Sequence, residues 1–73
     1  MKNINQKIGM VIRKQRLLTH LSQEKLGEVT GLHRTYISDV ERGKRNITII
    51  SLSKIAAALH ISLSDLISEA EKI

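Results

Sequence analysis

The chain has 73 residues, 41% of them hydrophobic, with no Cys, no Pro, a single aromatic residue (Tyr36) and a formal net charge of +5. A chain this short makes one domain near the lower limit for unaided folding, and without cysteine it has neither a disulfide nor thiolate-bound metal to staple it. Its polar opening, Met1–Gln6, leads into no apolar stretch of signal-peptide length, and no run approaches the about 20 apolar residues of a membrane span, so a cytoplasmic location is expected.

Strand-like alternation is absent, while helical periodicity recurs along the chain, so the expected class is all-α. Ile4, Ile8, Val11, Ile12 and Leu18 fall at three- and four-residue spacing and predict an amphipathic helix over 4–18. His20-Leu21 is then a short connection, with Leu21 as an apolar plug. Ser22, followed by Gln23 and Glu24, reads as an N-cap opening a second helix; Lys25 stands where a capping box would place Glu. Within that helix Leu26 faces inward and Gly27 sits where the next helix must pass close by. Gly31 stops it, because glycine enters the left-handed region without steric penalty. A third helix runs from His33-Arg34 to Gly43 with Ile37 and Val40 inward. After a loop over 44–47, Thr48 caps a fourth helix that buries Leu52, Ile55, Ala56 and Leu59. Ser62 caps a fifth containing Leu63, Leu66, Ile67 and Ala70. No linker, repeat or low-complexity tract interrupts residues 1–73, which read as one domain of five helices.

Charge is unevenly placed. Residues 1–46 hold ten basic and four acidic side chains, whereas 47–73 hold two basic and three acidic. A basic half of this kind suits a polyanion, and an uncharged half rich in Ile and Leu has another role. The second and third helices, joined by a glycine-containing turn over about 22–43, form the pattern of a helix-turn-helix, whose second helix enters the major groove of DNA. With Ile37 and Val40 inward, Arg34, Thr35, Ser38 and Asp39 project outward as the expected base contacts. Arg34 can grip guanine O6 and N7 with two N–H groups, and Thr35 offers a hydroxyl and a methyl group. Asp39 has three readings: acceptor from cytosine N4, orienter of Arg34, or a charge that repels misplaced phosphate. Gln23 at a helix N-terminus and the run Arg42, Lys44, Arg45 and Asn46 are expected along the phosphate backbone; Tyr36 fits either the core or a phosphate contact, and the phosphate is favoured. Arg16 and Glu41 both lie near apolar helix faces, where a charge needs a partner, and an ion pair between them is the simplest solution.

The same inventory argues against an enzyme. His20, His33 and His60 lack metal-ligand spacing, no Ser has a His and acid at telling spacing, and carboxylates are scattered rather than paired. No cofactor, metal or small-molecule ligand is expected. The region of about 47–73 carries more Ile and Leu than one small core can hide, so Ile47, Ile50, Ile61, Leu63 and Ile67 are expected at a homodimer interface. A two-fold dimer would set its recognition helices about 34 Å apart, matching successive major grooves.

The stretches L-S-Q-E-K-L (21–26), G-L-H-R-T-Y-I-S-D-V-E-R-G (31–43) and K-I-A-A-A-L-H-I-S-L-S-D-L (54–66) resemble the Cro/C1-type helix-turn-helix regulators over about Ile8 to Leu66. Within that family, R-T-Y-I-S-x-x-E-R-G-x-R-N-I-T (34–48) is most similar to the small controller proteins of restriction–modification systems. The resemblance implies a five-helix, lambda-repressor-like domain acting as a homodimer on pseudo-palindromic operators, its own promoter among them, with RNA polymerase as a further candidate partner. It implies base reading by Arg34 and Thr35, backbone or groove contacts by Gln23, Tyr36, Arg45 and Asn46, and an Arg16–Glu41 pair, with Glu24 holding Arg34 in place. Phage or plasmid repressors and antitoxin subunits share most of these motifs and are the alternative. Two residues depart from the pattern: Gly27 replaces the usual Ala, at about 1 kcal/mol of helix propensity, and Asp39 puts a negative charge on the reading face.

Overall fold

A computed structural model describes all 73 residues as five α-helices without strands: α1 (Ile4–Leu18), α2 (Gln23–Thr30), α3 (Arg34–Glu41), α4 (Ile49–Ala58) and α5 (Leu63–Glu71). Every helix opens on a side chain that accepts from its first turn. Ser22 takes the amide of Lys25, Thr48 that of Ser51, and Ser62 that of Asp65. Two caps were not anticipated. Asn3 and Gln6 form a reciprocal capping box at the start of α1, and the His33 Nδ1 accepts from the Thr35 amide at 3.1 Å to start α3.

The core is purely aliphatic and draws on all five helices: Ile8, Val11 and Ile12; Leu26; Ile37 and Val40; Leu52, Ile55, Ala56 and Leu59; Leu66 and Ala70. Leu21 packs against it as the expected plug. Ile4 and Leu18 do not join it; they occupy the terminal turns of α1, beyond the core's reach, and Leu18 is 62% exposed. Such one-sided burial explains why the helices hold together, since segments of 8 to 15 residues are marginal in water by propensity alone.

Gly31 closes α2 at φ 74° with open space around it, so its backbone conformation is the reason for glycine. Gly27 has the opposite reason. A Cβ there would come within 2.7 Å of the Leu32 carbonyl oxygen, so the propensity lost in α2 is the condition for α3 to start so close to it.

One helix-ending turn is used twice. α1 and α4 both end on a histidine in the left-handed region, His20 at φ 60° and His60 at φ 57°. In each case the histidine amide returns to a carbonyl three residues back (Leu17, Ala57) and the next amide to one five back (Arg16, Ala56). A half-buried Leu21 or Ile61 then leads directly into the Ser22 or Ser62 cap. One joint, His-(Leu/Ile)-Ser, is used twice to turn the chain. No single helix is long and apolar enough to cross a membrane.

Candidate nucleic-acid interface

α2, the Gly31 turn and α3 form the bihelical unit. α3 buries Ile37 and Val40, which turns Arg34 and Thr35 fully outward on its first turn and leaves Tyr36, Ser38 and Asp39 half-buried. Arg34 borders a wholly polar recess shared with Arg16, Ser22, Gln23 and Glu24, so the N-termini of α2 and α3 converge on one surface. Glu24 lines this recess without forming an ion pair with Arg34, and the guanidinium of Arg34 stays unpaired.

Beneath that surface lies a buried polar brace. Arg16 meets Glu41 side-on, Nε to Oε2 at 2.6 Å and Nη2 to Oε1 at 3.0 Å, while Arg16 Nη1 donates to the Leu21 carbonyl at 2.9 Å. The hydrogen bond and charge of Glu41 raise the Arg16 pKa against the desolvation that would lower it. Gln23 Nε2 donates to Glu41 Oε1 at 3.1 Å. One carboxylate thus ties α1, the end of α3 and the first residue of α2 together, and no buried side-chain N or O lacks a partner. Gln23 thus commits one amide N–H to the brace, and its second N–H has no partner within the fold.

Asp39 is engaged on both of its oxygens. Its Oδ1 accepts from Arg42 Nη2 at 2.8 Å and its Oδ2 from Arg45 Nε at 3.3 Å. The Arg42 hydrogen bond chiefly, with that of Arg45 and both charges, holds its carboxyl below the usual aspartate range. Each oxygen accepts one guanidinium N–H and keeps a lone pair, and neither is bonded to Arg34. The guanidinium of Arg45 in turn lies 5.1 Å from the centre of the Tyr36 ring, within cation–π range. Tyr36 packs its ring on the core and keeps its hydroxyl at the surface, without an intramolecular hydrogen bond. Asn46 accepts from Asn5 Nδ2 at 2.6 Å, which fastens the loop after α3 to the first turn of α1. Lys44 is exposed and unpaired. Arg34 and Thr35 are thus exposed at the start of α3, and Tyr36, Asp39, Arg42 and Arg45 are gathered toward its end, while Gln23 and Asn46 are partly engaged within the fold.

The apolar residues of the second half divide. Ile50 is 71% exposed; Ile47, Ile61, Leu63 and Ile67 are half-buried against the core and belong to it in part. Ile49, 67% exposed beside Ile50, was missed. It stands at the first position of α4, outside the inward set of Leu52, Ile55, Ala56 and Leu59. No group of His, Cys, Asp or Glu side chains comes together in a metal-holding arrangement.

A bihelical unit that stands its second helix outward on a buried brace, with cations along its exit, defines a DNA-binding helix-turn-helix domain. The chain belongs to the Cro/C1-type helix-turn-helix family, whose profile, described as Helix-turn-helix, matches residues 12–66. Within that family it is similar to restriction–modification control proteins. It is 44% identical to control protein C.MunI from a Mycoplasma species over 73 residues, 99% of either chain. Its structure is similar to the restriction-modification controller protein C.AhdI from Aeromonas hydrophila, with 40% identity and a TM-score of 0.82 over 85% of this chain and 94% of that one. It is also similar to the wild-type controller protein C.Esp1396I, with 38% identity and a TM-score of 0.87 over 99% of this chain and 92% of that one.

Proposed function

We propose that this chain is a cytoplasmic, sequence-specific transcriptional regulator that binds pseudo-palindromic operators as a homodimer and controls a restriction–modification system, including its own promoter. The observation that carries the reading is that Arg34 and Thr35, at the start of α3, are exposed with unpaired side chains above the Arg16–Glu41–Gln23 brace. A base-reading side chain must be free at its tip and rigid at its root, and this pair has both properties. Arg34 is assigned to guanine and Thr35 to an adjacent base, with Ser38 further along the same groove. Arg42, Lys44 and Arg45, the Tyr36 hydroxyl, the remaining Gln23 N–H groups and Asn46 are assigned to the backbone. The two-fold contact is assigned to Ile50, with Ile49 beside it and the half-buried Ile47, Ile61, Leu63 and Ile67 around it; residues 1–73 act as one domain. The reading includes no enzymatic activity, cofactor or small-molecule ligand. RNA polymerase is the protein an operator-bound dimer would meet at a promoter.

Selection from a randomised duplex library at about 150 mM salt tests this. Enrichment of a two-fold symmetric site with half-sites about one helical turn apart is the expected result. Capture without a shared motif would overturn it and favour a partner-protein role such as that of an antitoxin subunit.

A further inference from the structure

Asp39 is a carboxylate on a surface otherwise built to meet phosphate. It is not stranded there: Arg42 holds one oxygen at 2.8 Å and Arg45 the other at 3.3 Å. The two arginines remain about half-exposed, at 57% and 48%, whereas the aspartate side chain between them is 21% exposed. Each guanidinium has five N–H donors and spends one on Asp39, so the others stay available to a duplex. Arg45 is further fixed by the Tyr36 ring beneath it. The cluster thus presents two ordered guanidinium groups with a net charge of one.

We propose that Asp39 is a specificity-determining residue, which lowers the attraction of this surface for any duplex while holding Arg42 and Arg45 in the arrangement that the cognate backbone requires. The inference rests on the DNA interface proposed above. Non-specific binding is carried by phosphate neutralisation and counterion release, so removing one positive charge weakens it on every sequence. Binding at the cognate site also uses fixed geometry, and there a preordered guanidinium loses less freedom on contact. Base reading by Arg34 and Thr35, one to two turns earlier on α3, is untouched. The carboxylate therefore subtracts more from random DNA than from the operator and widens the gap between them. A purely structural role, an (i, i+3) pair that steadies the last turn of α3, would leave that gap unchanged.

The test compares full-length wild type, Asp39→Asn and Asp39→Glu on two duplexes, the site enriched from the randomised library and a scrambled duplex of equal length and composition. Affinities are measured between 50 and 200 mM salt, with helical content followed by circular dichroism. Asp39→Asn, nearly isosteric, should bind the scrambled duplex about three- to tenfold tighter at 150 mM salt. Its plot of log affinity against log salt should steepen by about one per DNA-binding head, and its preference for the enriched site should fall by a similar factor. Asp39→Glu keeps the charge and should keep most of the wild-type preference. An unchanged salt slope, or a gain equal on both duplexes, would overturn the inference while leaving the interface reading intact. Loss of preference in Asp39→Glu as large as in Asp39→Asn would also overturn it, because charge would not be the cause. Failure of the wild type to enrich any site would overturn the interface reading itself, and this inference with it.

Discussion

The two halves of this small domain are held by different physics. Residues up to and including the loop at 44–47 are organised by named polar contacts: the Arg16–Glu41 pair, Gln23 on the same carboxylate, Asp39 between two arginines, and Asn5 on Asn46. α4 and α5 have no comparable long-range polar contact; they are fixed by Leu52, Ile55, Leu59 and Leu66 in the core and capped by Thr48 and Ser62. A surface that must present side chains at set positions to a groove gains from directional bonds. A surface that meets a second copy of itself gains from apolar area. The contrast teaches that in 73 residues the polar network sets where the side chains point, and the aliphatic core sets whether there is a fold to carry them.

The sharpest way to break this comparison is to open the brace. Glu41→Leu leaves Arg16 buried with only the Leu21 carbonyl and takes the acceptor from Gln23, which should cost about 3–5 kcal/mol in denaturant unfolding. The double variant Arg16→Met/Glu41→Leu should lose far less than the sum of its two single variants; additive losses would mean that the two charges do not act as a pair. Gly27→Ala comes next. Helix propensity alone predicts a gain of about 1 kcal/mol, but the Cβ against the Leu32 carbonyl predicts a loss of about 1–3 kcal/mol, and a thermal melt decides between the two signs.

In the other half, Ile50→Lys should act on association and hardly on folding. Analytical ultracentrifugation should find the dimer weakened at least about tenfold, with monomer stability changed by no more than about 0.5 kcal/mol. A large loss of monomer stability would return Ile50 to the core. The smallest effect concerns pH. Asp39 has a folded pKa depressed by Arg42 and Arg45, so its contribution is fully present above the usual aspartate value of 3.8 and is lost as pH falls through the lower folded value. Between pH 5 and 8 Asp39 should therefore contribute a constant amount to stability, with no pH dependence of its own. Asp39→Asn should lie a small constant amount below wild type from pH 5 to 8, and the gap should close as pH falls below about 4.

The helices were legible because their signals are local. Ser22, Thr48 and Ser62 announce their caps, Gly31 its turn, and the aliphatic periodicity its inward face. The Arg16–Glu41 pair was legible for a related reason, since a charge on an apolar face must find a partner. What escaped the sequence depends on contacts across chain separation. Arg45 reaches Asp39 only after the chain has left α3 and turned at Gly43, so no helical period brings the two together. The commitment of Gln23 to Glu41, 18 residues away, is hidden for the same reason. His33 as a cap and the twice-used His-(Leu/Ile)-Ser joint were visible as letters but carry weak propensity signals. The close approach at Gly27 was legible, but spacing alone does not show that the atom met there is the Leu32 carbonyl oxygen.

The central claim is that α3 reads bases while its exit loop holds phosphate, and affinity measurements on two single variants against two duplexes test it most directly. Arg34→Ala should lose about 1–3 kcal/mol on the enriched site and little on a scrambled duplex. Lys44→Ala should weaken binding about equally on both, with a salt slope shallower by about one per head. Equal losses on both duplexes for Arg34→Ala would contradict the account, because a residue that binds every sequence alike is not reading any of them.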